Sequence, residues 1–565
     1  MKPGQLKPGQ LKQGQRPLLP PALALLGAVI LAAPAAHGAA GGAIDRDLDE
    51  VTIPQLERFY ETHRYTVSQV VEWYIARIEK YDGIYQAVET RDFAGARAAA
   101  AREDAARAGS AKGPLWGVPI VVKANTSIKG LVTTDGWAGF VIPGHELMPP
   151  KDATVVAKLK AAGAVILGKT NMPDFAGGNT TRSTSFGRTG NAYDVRFSPG
   201  GSSGGTVTAV SANFAVFGTG TDTSNSIRMP ASTSAVVGVL PTRGLTSIAG
   251  IAPLDWLLDN TGPVARTVTD AAIALDAMSG EDPADFRTTG SAKAAQPAPY
   301  TRSLTRDALK GKRFGVPAFM TATQTEAQPA PGRQSSLQPE TRALFMQAVD
   351  ELRAAGATIV FDDAILPAAF QKAVAAIDTR PYRLDGTEAF LKDYGPAEYH
   401  SSADYLKVTG APLAGTLLGV PRPESAQSPV PQVALKTDPN AEANFFEPQR
   451  RALALFNETL DRFRLDGFVY PAAQMPPPDE TMPQNGQLSR GPSSATGWLN
   501  RLGAPAVVVP GGFYPSGLPF GLEFAARRFK DVDLLGFAYA YEQATKHRRP
   551  PVLVERGLLS KRKER

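Results

Sequence analysis

The chain has 565 residues, 43 % of them apolar, a formal charge of +6 and no cysteine. Such a chain can bury a sizeable core, and it excludes disulfides, thiolate catalysis and cysteine-ligated zinc. The charge says little about partners, because the basic excess lies at the two ends of the chain.

Residues 1–15 repeat a Gly/Pro/Gln-rich pattern carrying Lys2, Lys7 and Lys12, and Arg16 follows. Ala22 to Ala33 is then an apolar run of twelve residues, too short for a comfortable transmembrane helix. Small residues come next, Ala35-Ala36-His37-Gly38-Ala39. Basic, apolar, then small is the order of a secretory signal peptide. Residues 1–40 are therefore expected to be a leader, the mature protein to be secreted or periplasmic, and no stable membrane insertion to remain after cleavage. An uncleaved N-terminal anchor is the alternative. Removing those residues takes away four positive charges and leaves about +2. The remaining excess sits in the HRRPP run from His547 and in the terminal SKRKER. Both are expected to be solvated tail, and no nucleic-acid-binding motif is present.

From Leu48 the pattern turns helical. Thr66-Val-Ser-Gln69 fits a capping box, and Val67, Val70, Val71, Tyr74, Ile75 and Ile78 then share one apolar face. Residues 92–109 are alanine-rich and predict a second helix. The apolar run 117–123 predicts a strand that ends on Lys123. A helix is expected over Ala153 to Ala162, stopped by Gly163, followed by a buried strand from Ala164 to Leu167 with Lys169 at its end. Residues 281–340 are rich in Pro, Ala, Gln and Thr, with QPAPY and AQPAPGRQSS reading as loop. Arg342 to Gly356 and Ala357 to Phe361 resume the helix–strand pattern. No clear periodicity marks residues 381–445. A helix after Phe446, strands at 467–470, 506–510 and 521–525, and a closing helix over Asp531 to Thr545 complete a layered α/β fold. Trp137, Trp256 and Trp498 read as core first and as pocket walls second.

One stretch organises the rest, Ser198 to Pro230. It opens on Ser198-Pro-Gly-Gly-Ser-Ser-Gly-Gly205, where glycines bracket Ser202 and Ser203, and closes on the turn Gly220 to Ser226. Glycine is needed where the backbone takes positive φ or must approach another atom closely. Two hydroxyl-bearing loops joined by a buried linker can meet in space. Hydroxyls need a base. Of five histidines, His37 lies in the leader, His63 and His145 lie upstream, and only His400 and His547 follow the serines. His547 belongs to the basic tail. Residues 201–205 formally match the G-x-S-x-G elbow around Ser203, but His400, the one candidate to complete that arrangement, has no supporting context. A lysine at a buried strand end is the other option, since desolvation removes its proton. Taking a lysine from about 10.4 to near 7 requires roughly 4–5 kcal/mol of differential desolvation. Lys123 and Lys169 both qualify, and the alternative for Lys123 is a side chain snorkelling out of its strand.

Five segments carry a family resemblance: GVPIVVK (117–123), GAVILGKTNMPDF (163–175), SPGGSSGG (198–205), GTDTSNSIRMPAS (220–232) and GVLPTRG (238–244). Weaker matches follow at VVVPGGF and GLPFGLEFAA. In that order, and with 24 residues separating Ser202 from Ser226, the chain resembles the amidase signature family over about residues 50 to 550. The resemblance implies one large α/β domain, a mixed sheet of about eleven strands wrapped by helices. It would span 44–550, with a variable middle section at 281–445 and a basic tail at 551–565. It also implies a Ser–cis-Ser–Lys triad: Ser226 as nucleophile, Ser202 after a cis peptide bond as bridge, and Lys123 as ultimate base. Lys169 keeps a structural role in this reading. Backbone N–H groups of Thr223, Ser224, Asn225 and Ser226 would form the oxyanion hole. One departure stands out, because Ser224-Asn225 replaces the family's two glycines and is expected to alter substrate fit.

The implied activity is hydrolysis of a small carboxamide to a carboxylate plus ammonia or an amine, with no metal or organic cofactor. Ester or aryl anilide cleavage on the same triad is one alternative. A component of the glutaminyl-tRNA amidotransferase and a non-catalytic binding protein of the same fold are the others.

Overall fold

Strands buried on both faces read as continuous apolar runs, and strands with one wet face alternate. Ile120-Val-Val122, Val165-Ile-Leu167 and Ala506-Val-Val-Val509 are of the first kind, which places the sheet in the middle of the molecule. A computed structural model describes residues 41–106, 113–322, 336–420, 428–483 and 487–552. The leader and the terminal SKRKER lie outside the described residues. The chain divides into two units. The first, residues 1–47, carries most of a short helix, Gly41–Leu48; the second, residues 48–565, carries the sheet and the site.

Eleven strands form that sheet. In chain order they are β1 (Val88–Arg91), β2 (Pro119–Lys123), β3 (Val165–Thr170), β4 (Phe217–Asp222), β5 (Val237–Leu240) and β6 (Asn260–Ala265). They continue with β7 (Arg313–Val316), β8 (Thr358–Phe361), β9 (Gly467–Pro471), β10 (Ala506–Phe513) and β11 (Pro519–Ala525). The spatial order is β1-β3-β2-β4-β6-β5-β10-β11-β9-β7-β8. Pairings are mixed. β2 runs parallel to both β3 and β4, β9 and β8 run parallel to β7, and the remaining neighbours are antiparallel. This is the single large α/β domain that the resemblance implied.

The expected helices form close to their sequence signals. The helix Val67–Tyr85 starts on a complete capping box between Thr66 and Gln69, and its six apolar-face residues are buried. Phe93–Ala105 and Thr154–Ala161 follow, the latter ended by Gly163 at φ +93°, where a side chain would be strained. Pro339–Ala354, Glu447–Phe463 and Asp531–Thr545 cover the C-terminal half. The aperiodic middle holds two further helices, Arg383–Tyr394 and Ser402–Thr409. Among the described residues no helix is long and apolar enough to cross a membrane.

Two expectations are corrected. β3 runs on to Thr170, so Lys169 is inside the strand and not at its end. The HRRPP run is not solvated tail. Arg548 grips Glu50 through Nε and Nη2 at 2.6 and 2.7 Å and donates to the Ala235 carbonyl. His547 Nε2 sits 2.9 Å from Glu351. A distant carboxylate turns a charged, exposed-looking run into a clasp.

Candidate active site

Parallel strands deliver their C-terminal ends to one edge of a sheet, and side chains just beyond those ends share a crevice. β2 and β4 are such neighbours. Lys123 is the last residue of β2, and Ser226 lies four residues past the end of β4. The Ser198–Ser203 loop and the helix Gly204–Ser211 fill the connection between β3 and β4, and that helix packs on β2 and β4. Gly200 takes φ +78°, and Gly205 lies so near the Asn171 backbone that a β-carbon would collide with it. The Gly201–Ser202 peptide bond is cis, as the resemblance implied.

Lys123 is wholly buried. Its Nζ donates to Ser202 Oγ at 2.7 Å, to Thr221 Oγ1 at 2.7 Å and to Ser203 Oγ at 3.1 Å. Burial takes its pKa from 10.5 to about 7, against the opposing pull of the Asp135, Asp222 and Asp259 carboxyls. A lysine held there is largely neutral just above pH 7 and can accept a proton. The adjacent serines differ. Ser203 Oγ donates to the Thr221 carbonyl at 3.2 Å and accepts from the Thr221 N–H, which fixes it as a brace between the loop and β4. Among the described residues Ser202 Oγ makes no such backbone bond, and it accepts from the lysine. The Ser203 N–H donates to the Ser226 carbonyl at 3.1 Å, tying the two hydroxyl-bearing loops together.

The turn carrying Ser226 is held from below. Asp222 accepts from the Ile227 N–H and from Arg228 Nε, both at 3.1 Å. Arg228, itself fully buried, reaches Glu523 on β11 at 2.6 Å and donates to the Ser224 carbonyl. Asn500 Nδ2 caps the Asp222 carbonyl at 2.7 Å. Truncating one member of such a network leaves a buried charge unpaired, which costs about 3–5 kcal/mol. The turn is thereby rigid while its own donors stay open. Among the described residues no acceptor takes the backbone N–H of Thr223, Ser224, Asn225 or Ser226. Neither Ser224 nor Asn225 has a positive φ, so the replacement of two glycines imposes no left-handed strain. Ser226 lines a cavity of about 510 Å³, together with Thr223, Ser224, Asn225 and the loop Ala176–Asn179. No hydrogen bond among the described residues engages its hydroxyl.

The family pattern for Amidase matches residues 69–535. The chain belongs to the amidase signature family. A glutamyl-tRNA(Gln) amidotransferase subunit from Moorella thermoacetica is 34 % identical over 492 residues, covering 85 % of this chain and 93 % of that protein. The native peptide amidase of Stenotrophomonas maltophilia superposes with a TM-score of 0.72 at 29 % identity, covering 89 % of this chain and 98 % of that one. A 6-aminohexanoate cyclic dimer hydrolase solved with substrate shares the fold, with a TM-score of 0.68 at 24 % identity over 90 % of this chain and all of that one. Family membership makes the chain an enzyme of amide C–N hydrolysis.

Within this amidase-family framework the rival bases fall away on position. Lys169 Nζ donates to the Val132 carbonyl at 2.8 Å and to Thr133 Oγ1 at 3.2 Å, on the far side of β3 from the serines. His400 is exposed, with its N–H on Asp404, and His145 pairs with Glu398 at the surface. The elbow reading of Ser203 has no histidine to complete it among the described residues. Trp498 and Trp137 pack in separate core clusters. Trp256 packs against the same core as Trp498 and lines a smaller cavity around Gly250 and Phe286.

Sequence reasoning missed five residues of the site. Thr221 accepts the second short bond from Lys123 and is itself contacted by Asn125 Nδ2 at 3.1 Å; its place one residue before the end of β4 is the signal that would have found it. Asp135 is fully buried, both its carboxyl oxygens lack a partner among the described residues, and burial pushes its pKa well above the usual range. Arg383, Arg490 and Arg501 line the cavity, and nothing local in the sequence marks them.

Proposed function

We propose that this chain is a serine amidohydrolase that cleaves a small carboxamide through an acyl-enzyme on Ser226. Ser226 Oγ attacks the carbonyl carbon. Its proton passes to Ser202, whose own proton moves to neutral Lys123. The tetrahedral oxyanion is received by the open N–H groups of the 223–226 turn, whose residues line the cavity. Collapse breaks the C–N bond, and Lys123 returns the proton through Ser202 to the departing nitrogen. Water then releases the carboxylate by the same route in reverse. Ester and aryl anilide cleavage would use the same acyl-enzyme, and paired ester and amide rates rank them.

The observation that carries this reading is the buried Lys123 amine placed 2.7 Å from Ser202 Oγ and bonded, among the described residues, to hydroxyls and one carbonyl. Fluorophosphonate labelling, read by intact mass and peptide mapping, tests it. The label is expected on Ser226 and should fall sharply in Lys123→Ala. Label on Ser203, or labelling indifferent to the lysine, would overturn the triad. An unlabelled wild-type protein that also leaves a small anilide intact would favour a non-catalytic binding protein.

The name of the Moorella thermoacetica relative supports a second reading, one subunit of a glutamyl-tRNA(Gln) amidotransferase. Glutaminase activity that appears only with partner proteins would establish it. Residues 1–40 argue for the first, because their basic–apolar–small order is that of an exported protein. Export to the periplasm or medium, with an amidase domain over about 44–550, is part of the proposal. N-terminal sequencing of protein recovered from the periplasm or medium, beginning near residue 40, would support it, and an intact Met1 in the cytosol would refute it.

A further inference from the structure

The cavity above Ser226 carries an imbalance of charge. Three guanidinium groups line it, those of Arg383, Arg490 and Arg501, against a single carboxylate, Asp255. That carboxylate is engaged through one oxygen, while its Oδ1 is buried without a partner among the described residues. Its Oδ2 accepts from Thr379 Oγ1 at 2.5 Å and from Arg383 Nε at a long 3.4 Å. Arg383 therefore spends one nitrogen on Asp255, and among the described residues its two terminal nitrogens make no hydrogen bond. Arg501 is anchored through Nη1 to the Val374 and Ile377 carbonyls at 3.3 and 2.9 Å. Among the described residues no carboxylate lies within ion-pair distance of Arg501 or Arg490. The other buried acid nearby, Asp259, is satisfied by Thr223 Oγ1 and by the N–H groups of Leu254 and Asp255.

Three guanidinium groups on one wall with one lining carboxylate between them leave an excess of positive charge, and an anion would complete the arrangement. The wall shares a cavity of about 510 Å³ with the Ser226 turn, a volume suited to a small ligand. Resting on the reading that Ser226 is acylated, we infer that the substrate is a small amide bearing a carboxylate, which the Arg383–Arg501 wall receives while the amide carbonyl lies over the 223–226 turn. The carboxylate sits on the acyl portion or on the amine portion, and the two are told apart by experiment.

Equilibrium binding to the full-length Ser226→Ala variant tests this without needing turnover. Succinamate against its neutral isostere isocaproamide probes the acyl side, and para-acetamidobenzoate against para-isopropylacetanilide probes the amine side. The carboxylate member of one pair is expected to bind about tenfold or more tightly. That advantage should shrink with added salt and collapse in Arg501→Gln and in Arg383→Gln. Because Arg501 also braces two carbonyls, circular dichroism and Tm accompany its variant, and Arg383→Gln and Arg490→Gln stand in for it if it does not fold. Equal binding within both pairs, tighter binding of the neutral members, or an advantage that survives the arginine variants would overturn the inference. Its failure is separable from failure of the acyl-enzyme. Selective binding with no fluorophosphonate label on wild-type Ser226 keeps the anion wall and removes the nucleophile, and labelling without selectivity does the reverse.

Discussion

Lys123 and Lys169 occupy neighbouring strands, with Val122 opposite Lys169 and Lys123 opposite Thr170. Both are wholly buried, and burial lowers the pKa of each. Their surroundings diverge. Lys123 meets three hydroxyls, groups that can pass a proton onward. Lys169 meets a carbonyl, one threonine hydroxyl and the field of the buried Glu89 carboxyl, none of which leads to the serine loops. Desolvation makes a lysine available as a base, and the next atoms along decide whether that basicity is used.

The sharpest way to break this comparison is to remove each amine in turn. Lys123→Met should lower kcat/KM by about 10²–10⁴-fold with Tm held or raised, because an apolar chain of similar length replaces a buried cation. Lys169→Met should do the opposite, leaving the folded enzyme its rate while costing about 1–3 kcal/mol for the orphaned Val132 carbonyl. Anilide hydrolysis and thermal denaturation on both variants decide it. A rate loss at full stability in the Lys169 variant would erase the distinction. The two serines repeat the contrast on a smaller scale. Ser202→Ala should cost about a hundredfold or more in rate. Ser203→Ala should cost about 1 kcal/mol of stability, through its lost bond to Thr221. The same pair of assays reads both.

Lys123 was legible because its chemistry is local: an apolar run, a terminal lysine and a strand. Helix starts were legible for the same reason, as Thr66 and Gln69 show. The choice between the two lysines was not, since it depends on which side of β3 each side chain finds its partners, and only the family resemblance favoured Lys123. Arg548 could not be read from its run, because the Glu50 it clasps is 498 residues away. Arg383 and Arg501 were hidden likewise. Each sits near the start or end of an unremarkable helix, and they become one wall only when a stretch without periodicity folds against the helix Gly497–Leu502.

Titration offers a finer cut. Since Lys123 must be neutral to act, kcat/KM should climb as pH rises through about 7. Thr221 Oγ1 accepts from the ammonium at 2.7 Å and so favours the charged form. Thr221→Val should therefore move the midpoint to lower pH, and a pH–rate profile that moved upward would contradict the assignment of that limb to Lys123. Asn125 would lose its partner in the same variant, so Asn125→Ala serves as the companion measurement and should shift the midpoint less.

The smallest expected effect concerns Ser224 and Asn225. Their N–H groups are the useful part of the turn, and neither residue needs the conformational range of glycine. Replacing both by glycine should leave the donors in place, since the Ser224 carbonyl stays bonded to Arg228. What changes is space and stiffness. Two side chains leave the cavity rim, where Ser224 is exposed beside Gly497, and the unfolded chain gains freedom worth about 0.5–1 kcal/mol per glycine. The double variant should then show a slightly lower Tm, an unchanged kcat on a small anilide and a lower KM for a bulkier acyl group. A large fall in kcat would instead mean that these side chains, and not only their backbone, hold the turn in its reactive shape.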